Sequence, residues 1–136
     1  MKYLLDSATC LQLLNGGNAG VRQRFFSHQP ADLVVCSIVR AELMFAADPR
    51  AGGGPGQLQR LQLFLEPLRS LPFDDACATH YSQLRAALLA QGTPIGAHAM
   101  QLAAIALTHR LTLVSPNARD FSRIKGLKLD TWETLL

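Results

Sequence analysis

The stretch DLVVCSIVRAELMFAA, residues 32–47, decides the fold. Its first part, DLVVC (32–36), is apolar and rich in β-branched residues, which predicts a buried strand. Ser37 is a favourable N-cap residue, so the remainder is predicted to be a helix that Ser37 caps. A buried strand that passes directly into a helix is typical of an α/β domain.

Strands and helices alternate along the rest of the chain. Further strands are predicted at KYLLD (2–6), LPF (71–73), LTLVS (111–115) and LKLDTW (127–132). Further helices are predicted at about 7–15, 19–27, 57–70, 75–90 and 96–110, with a short one after the loop 116–121. This order predicts a single α/β domain over residues 1–136 with a mainly parallel central sheet.

Composition limits the class of protein. The chain has 136 residues, of which 49% are hydrophobic, and this fits one compact domain with a substantial core. The start reaches Asp6 after only three apolar residues, and an uninterrupted apolar run of about 18 residues is missing. We therefore expect no membrane span, no secretory signal and a cytoplasmic location. The cysteines Cys10, Cys36 and Cys77 are widely spaced and are expected in the core.

Acidic side chains are expected at one edge of the sheet. Asp6 ends the first strand, Asn117 and Asp120 follow the strand LTLVS, and Glu42 lies on an otherwise apolar helix. Sites in parallel α/β sheets form outside the carboxyl ends of the strands. Clustered carboxylates need a cation, and oxygen ligands select a hard ion such as Mg²⁺ or Mn²⁺. Such an ion activates water and stabilises charge on a phosphate.

Asp6 and Glu42 each have a purely structural interpretation as well. Asp6 alone would be a helix N-cap. Glu42 would lie on an exposed stripe of its helix, paired with Arg40 or Arg50. The formal net charge of +3 is compatible with a polyanionic partner or with an ordinary solvated surface.

The helix that follows Gly92-Thr93-Pro94 begins without an acid. Its first residues are Ala97-His98-Ala99, within the stretch TPIGAHAMQLAAIALTHR (93–110). His98 could replace a lost ligand or could be a surface histidine.

The chain resembles the PIN-domain ribonuclease toxins of type II toxin–antitoxin systems, the VapC-like group. The resemblance runs nearly end to end and implies a three-layer α/β/α domain that cleaves RNA, often tRNA, with a divalent metal ion. It also implies a cognate antitoxin that wraps the toxin and binds operator DNA, and a toxin homodimer. The resemblance rests on KYLLDSATCLQLL, CSIVRAEL, LPFDDACATHYSQLRAALLAQGTPIG and LTLVSPNARDFSRIKGLKLDTW.

The resemblance also assigns site residues. The first acid of the family falls on Asp6 and the second on Glu42. The third should follow Pro-Ile-Gly, where this chain has Ala99 instead. The fourth falls on Asn117 or Asp120, with Asp120 favoured as the acid and Asn117 as a nearby polar contact. Asp6 and the acid that Ala99 replaces would hold the metal.

Supporting roles are assigned to neighbouring residues. Ser7 would orient Asp6 through a hydrogen bond. A basic group would contact RNA phosphates, with an ordinary charged surface as the alternative. Its members are Arg119, Arg123, Lys125 and Lys128.

The missing acid has two competing explanations. One minimal substitution on an otherwise intact scaffold favours a deliberate replacement by Ala99, whereas Ala8 and Pro116, also unusual for the family, favour natural decay. We expect the former. In either case the chain as given is expected to bind Mg²⁺ weakly and to cleave RNA poorly. The alternative function is a decayed domain that binds antitoxin or RNA without cutting.

Overall fold

The computed structural model describes residues 1–134, so the last two residues of the predicted domain lie outside the described part. Its strands are β1 (Tyr3–Leu5), β2 (Leu33–Cys36), β3 (Arg69–Leu71), β4 (Thr112–Val114) and β5 (Lys128–Asp130). They form one sheet in the order β3-β2-β1-β4-β5, and all four pairings are parallel. The predicted α/β fold with a mainly parallel sheet is therefore confirmed.

Helices flank this sheet. They are α1 (Ser7–Leu14), α2 (Ala19–Phe26), α3 (Ser37–Ala47), α4 (Gln57–Leu65), α5 (Asp75–Gln91), α6 (Ala97–His109) and α7 (Ala118–Phe121). Two short 3₁₀ turns cover Pro30–Asp32 and Pro49–Ala51. Among the residues described, no helix is both long and apolar enough to span a membrane.

The core lies where helices cover the central strands. All four residues of β2 are buried, and Leu4 of β1 and Leu113 of β4 have no exposed surface. Strands covered on both faces have apolar residues in succession rather than in alternation, which explains why the sequence LVVC predicts β2 correctly. The predicted core positions of Cys10, Cys36 and Cys77 are confirmed, since all three are buried free thiols.

The strand order creates a crevice beside β1. From β1 the chain goes to β2 and β3 on one side, and later to β4 and β5 on the other. Ligand sites in such sheets form at this reversal, outside the carboxyl ends of the strands. Asp6 directly follows β1 and Ser115 directly follows β4, so both side chains stand at the reversal.

Three predicted boundaries were wrong. The helix predicted for 57–70 ends at Leu65, because Pro67 cannot continue a helix. The strand predicted for 71–73 is β3, which begins two residues earlier, at Arg69. Within the predicted loop 116–121, the last four residues form α7, which Asn117 caps by accepting a hydrogen bond from the Asp120 N–H.

Ser37 is not the N-cap that the sequence predicts. Cys36, the last residue of β2, occupies that position without a side-chain cap, because the strand enters α3 with no linker. Ser37 is the first helical residue, and its hydroxyl oxygen instead accepts a hydrogen bond from the Phe73 N–H at 3.3 Å. This bond ties the start of α3 to the segment after β3.

Asn18 joins α2 to the C-terminal segment through side-chain hydrogen bonds. Its substitution therefore tests the stability of the fold at a position away from the sheet edge that contains Asp6. Its Oδ1 accepts from the N–H groups of Gly20, Val21 and Thr134, and its Nδ2 donates to the Thr134 carbonyl. We expect Asn18→Ala to lower the free energy of unfolding by about 1–2 kcal/mol, because a helix cap and a tertiary link are lost together. Urea titration measures the loss, and Asn15→Ala is the control, since no side-chain hydrogen bond of Asn15 is present in the part of the chain described.

Candidate active site

Asp6 is a buried carboxylate at the start of α1. It is only 7% exposed, and its Oδ1 accepts a hydrogen bond from the Thr9 N–H at 2.8 Å. Asp6 is therefore the N-cap of α1, as the structural interpretation of the sequence predicts. Burial raises the pKa of Asp6 above its ordinary value, and hydrogen bonds from Ser115 and Thr9 oppose this effect without cancelling it.

A chain of polar contacts leads from Asp6 to Asp120. The Ser115 hydroxyl interacts with the Asp6 carboxylate, and its oxygen accepts from the Asn117 N–H at 3.0 Å. The Asn117 side chain then donates to Oδ2 of Asp120 at 3.3 Å. Asp120 also lies 3.7 Å from Arg123, so its charge is partly balanced from within the chain. Asn117 and Asp120, the two candidates for the fourth acid, thus lie in contact with each other.

Glu42 lies next to the start of α6 and is not part of the chain of contacts between Asp6 and Asp120. It lies in the second turn of α3, and its Oε1 is 3.6 Å from Nδ1 of His98 in the first turn of α6. Its side chain is 41% exposed, so the exposed stripe anticipated for Glu42 is present. Within residues 1–134, neither Arg40 nor Arg50 pairs with Glu42, and Arg50 pairs instead with Asp48 at 2.9 Å.

Ala99 lies one residue beyond His98, half-buried against the core. The first turn of α6 contains no acidic residue, and its N-cap, Gly96, makes no side-chain cap. The positive end of the helix dipole therefore has no carboxylate from the helix itself to balance it. An acid at position 99 would place a negative charge in this first turn.

The basic residues do not form one patch. Arg123 and Lys125 line an open groove of about 290 Å³ together with His80 of α5. Arg119 is exposed on α7. Lys128 begins β5, which pairs with β4 through Thr112 at that end, so Lys128 lies at the amino edge of the sheet, away from Asp6.

Two contacts of the site were not foreseen from the sequence. Ser7 makes no hydrogen bond to Asp6 within the described residues, because an N-cap carboxylate turns toward the N–H groups of the following turn. Thr9 and Ser115 provide the orienting contacts instead. A polar residue at the end of an apolar strand, as in LTLVS, is the signal that points to Ser115.

The residues present do not make a complete site for Mg²⁺. Within residues 1–134, no group of three or more His, Cys, Asp or Glu side chains is arranged to hold a metal ion. Asp6 is already held by Thr9 and Ser115, and Ala99 contributes only a methyl group. Since Mg²⁺ requires oxygen ligands in near-octahedral geometry, this set lacks at least one ligand.

The buried charge of Asp6 should lower stability in a pH-dependent way. Its folded-state pKa is raised, so the folded protein is penalised once pH rises above the ordinary Asp value, and the penalty is absent below it. Asp6→Asn retains an oxygen that can accept from Thr9 but carries no charge. We expect Asp6→Asn to unfold at higher urea than the parent chain at neutral pH, in EDTA, and this advantage to shrink as the solution is acidified.

Asp32→Asn is the control for this comparison, since Asp32 makes no side-chain hydrogen bond in the part of the chain described. The same stability for parent and Asp6→Asn at neutral pH would contradict the expectation.

Comparison with known proteins identifies the class to which this fold and this sheet edge belong. Residues 3–127 match the sequence model of the PIN domain, so the chain belongs to the PIN-domain family. Among curated relatives, it is 31% identical to the tRNA(fMet)-specific endonuclease VapC of Shigella flexneri, over 97% of this chain and 98% of that one. It is 28% identical to ribonuclease VapC2 of Rickettsia felis, over 98% and 99% of the two chains. The resemblance to the VapC-like group is thereby confirmed.

Solved structures agree with this assignment. The chain superposes on DNA-bound VapBC from Salmonella typhimurium with a TM-score of 0.88 at 30% identity, covering 97% of this chain and 98% of the other. It superposes on VapBC2 from Rickettsia felis, bound to a promoter DNA fragment, with a TM-score of 0.87 at 26% identity, covering 98% and 100%. The fold is thus that of toxins solved as toxin–antitoxin complexes.

Proposed function

We propose that this chain is a toxin component built as an endoribonuclease, that it acts on the phosphodiesters of tRNA, and that Ala99 impairs its catalysis. One observation carries the proposal. A buried Asp6 at the strand reversal and a Glu42 close to the start of α6 are combined with Ala99 at the start of α6, in a chain 31% identical to a tRNA-specific endonuclease. The scaffold of a nuclease is retained while one acid is missing.

The remaining polar residues have separate proposed roles. Asp6 is the main acidic group, held in one orientation by Thr9 and Ser115. Glu42, together with Asp120 and Asn117, would position water and the scissile phosphate around it. Mg²⁺ or Mn²⁺ is the proposed cofactor once an acid stands at position 99, and it would supply charge stabilisation at the phosphate.

RNA contact is proposed along the groove between α5 and the segment after α7. Arg123, Lys125 and His80 line this groove, and Arg119 is a further exposed candidate on α7. Phosphate contacts by such cations make affinity fall as salt rises. Lys128 is a weaker candidate because it lies at the opposite edge of the sheet.

An antitoxin is the proposed protein partner. Helices α3 and α4 expose Met44, Phe45, Leu58 and Leu63, with exposures between 37% and 71%. Exposed apolar side chains on neighbouring helices suit the apolar face of a partner helix. A homodimer, and contact with operator DNA through the antitoxin alone, are proposed with it, since the relatives named above were solved as VapBC bound to DNA.

Cleavage of a bulk tRNA pool tests the enzymatic proposal. The chain as given and its Ala99→Asp variant are compared with Mg²⁺ or Mn²⁺ and with EDTA, and ribosomal RNA serves as the competing substrate. We expect the variant to cut tRNA preferentially and EDTA to stop it. If neither protein cuts any RNA with either metal, the enzymatic proposal fails and the non-cleaving binding protein takes its place.

A further inference from the structure

Glu42 and His98 place a carboxylate oxygen and an imidazole nitrogen close together at one solvent-exposed surface. Nδ1 of His98 lies 3.6 Å from Oε1 of Glu42, with the side chains 72% and 41% exposed. Together with Ile38, Ala41 and Phe45 they line a shallow cavity of about 260 Å³. An imidazole nitrogen and a carboxylate oxygen are therefore both accessible to a small ligand.

The separation of the two atoms suits the ligands of one ion. Zinc–nitrogen and zinc–oxygen bonds in proteins are about 2.0–2.2 Å long, so two zinc ligands at a tetrahedral angle lie about 3.3–3.5 Å apart. The observed 3.6 Å between Glu42 and His98 is within a small side-chain adjustment of that range. The exposure of both groups leaves the other coordination positions open to water or to phosphate oxygens.

We propose that Glu42 and His98 together bind Zn²⁺, or the Co²⁺ that substitutes for Zn²⁺ in tetrahedral sites, in preference to Mg²⁺. Imidazole nitrogen suits these ions, whereas Mg²⁺ takes oxygen ligands. Ala99 removes the oxygen donor expected on the first turn of α6 and leaves His98 as the donor there. The inference rests on the proposed function, because it assigns a metal selectivity to the same site.

Both members of the pair are required by the local charge. A cation at this point meets the positive end of the α6 dipole, and the first turn of α6 has no acid to offset it. Glu42 supplies the opposing negative charge, and His98 supplies the selectivity for a softer ion. Removing either side chain should therefore weaken binding.

Calorimetric titration of the intact chain with Co²⁺ alone and with Mg²⁺ alone, without RNA and at about pH 8, tests the proposal. We expect one Co²⁺ per chain, bound at least about tenfold more tightly than Mg²⁺. His98→Ala and Glu42→Gln should each weaken Co²⁺ binding at least about tenfold. His28→Ala is the matched control, because His28 packs on the rings of Tyr3 and Trp132 and has no part in the proposed sites, so it should leave the affinity unchanged. Circular dichroism establishes that each variant is folded.

Retention of Co²⁺ affinity in folded His98→Ala, or equal affinity for Mg²⁺ and Co²⁺, would overturn this inference. It can be separated from the proposed function. If Ala99→Asp cuts RNA with Mg²⁺ but the parent chain binds no Co²⁺, the inference fails and the proposed function stands. If Co²⁺ binding depends on His98 and Ala99→Asp cuts nothing, the metal pair stands and the nuclease proposal fails.

Discussion

Replacing Ala99 by Asp is expected to raise the rate of tRNA cleavage in Mg²⁺ by about two orders of magnitude or more. Metal assistance contributes several kcal/mol to transition-state stabilisation in phosphate chemistry, and each 1.36 kcal/mol or so changes the rate about tenfold. Under the proposed function, the new carboxylate would supply the missing oxygen ligand on the first turn of α6, one residue beyond His98, which lies 3.6 Å from Glu42. It would also place a negative charge at the start of α6, where none is present.

The matched control is Ala97→Asp, which adds the same charge to the same helix turn, two residues earlier. Ala97 is exposed and is the first residue of α6. Both substitutions add a negative charge near the positive end of the helix dipole, but only Ala99→Asp stands where the proposed function places the missing acid. Single-turnover cleavage of a labelled tRNA pool measures the two rates. Equal activity of Ala97→Asp and Ala99→Asp would show that charge alone, and not ligand position, is responsible.

Leu113→Ala is expected to lower the free energy of unfolding by about 2–5 kcal/mol. Leu113 lies in the middle of β4, between β1 and β5, and has no exposed surface. Truncation leaves a cavity in a close-packed core that neighbouring strands cannot fill, because their register is held by hydrogen bonds on both sides. The loss is a large part of the total stability of a typical domain, about 5–15 kcal/mol.

Urea unfolding followed by far-ultraviolet circular dichroism measures the effect. Leu63→Ala is the control, because Leu63 lies on α4 with 70% of its surface exposed. We expect this substitution to change stability by no more than about 0.5 kcal/mol. A similar decrease in the free energy of unfolding for both variants would mean that burial in the sheet does not determine how much stability is lost.

The fold was predictable because its strands are short, apolar and separated by helical segments. β2, β1 and β4 stand out from the sequence, since a parallel strand covered on both faces has no polar alternation. β3 was harder to place, because two of its three residues, Arg69 and Ser70, are polar and it lies at the edge of the sheet. The helical spacing of apolar residues in α4 also continues into this segment. The strand character of β3 comes from pairing with β2, which local sequence does not contain.

The site was predictable in part. Asp6 and the region of Asn117 and Asp120 follow strands, so topology alone brings them to one edge. The contact of Glu42 with His98 was missed, because it depends on how α6 packs across α3, and helix packing is a tertiary property. The role of Thr9 follows from its place three residues after an N-cap acid.

The double use of Thr9 has a consequence for how this protein can change. Its N–H holds the Asp6 carboxylate, and its hydroxyl donates to the Val114 carbonyl on the neighbouring strand at 3.2 Å. The orientation of the Asp6 side chain is therefore fixed by Thr9, which the pairing of β1 with β4 holds in place, and none of the hydrogen bonds just described involves α6. Under the proposed function, catalytic activity and stability of the fold are therefore separable, so a single substitution at position 99 would abolish catalysis while the surfaces that bind a partner protein stay in place.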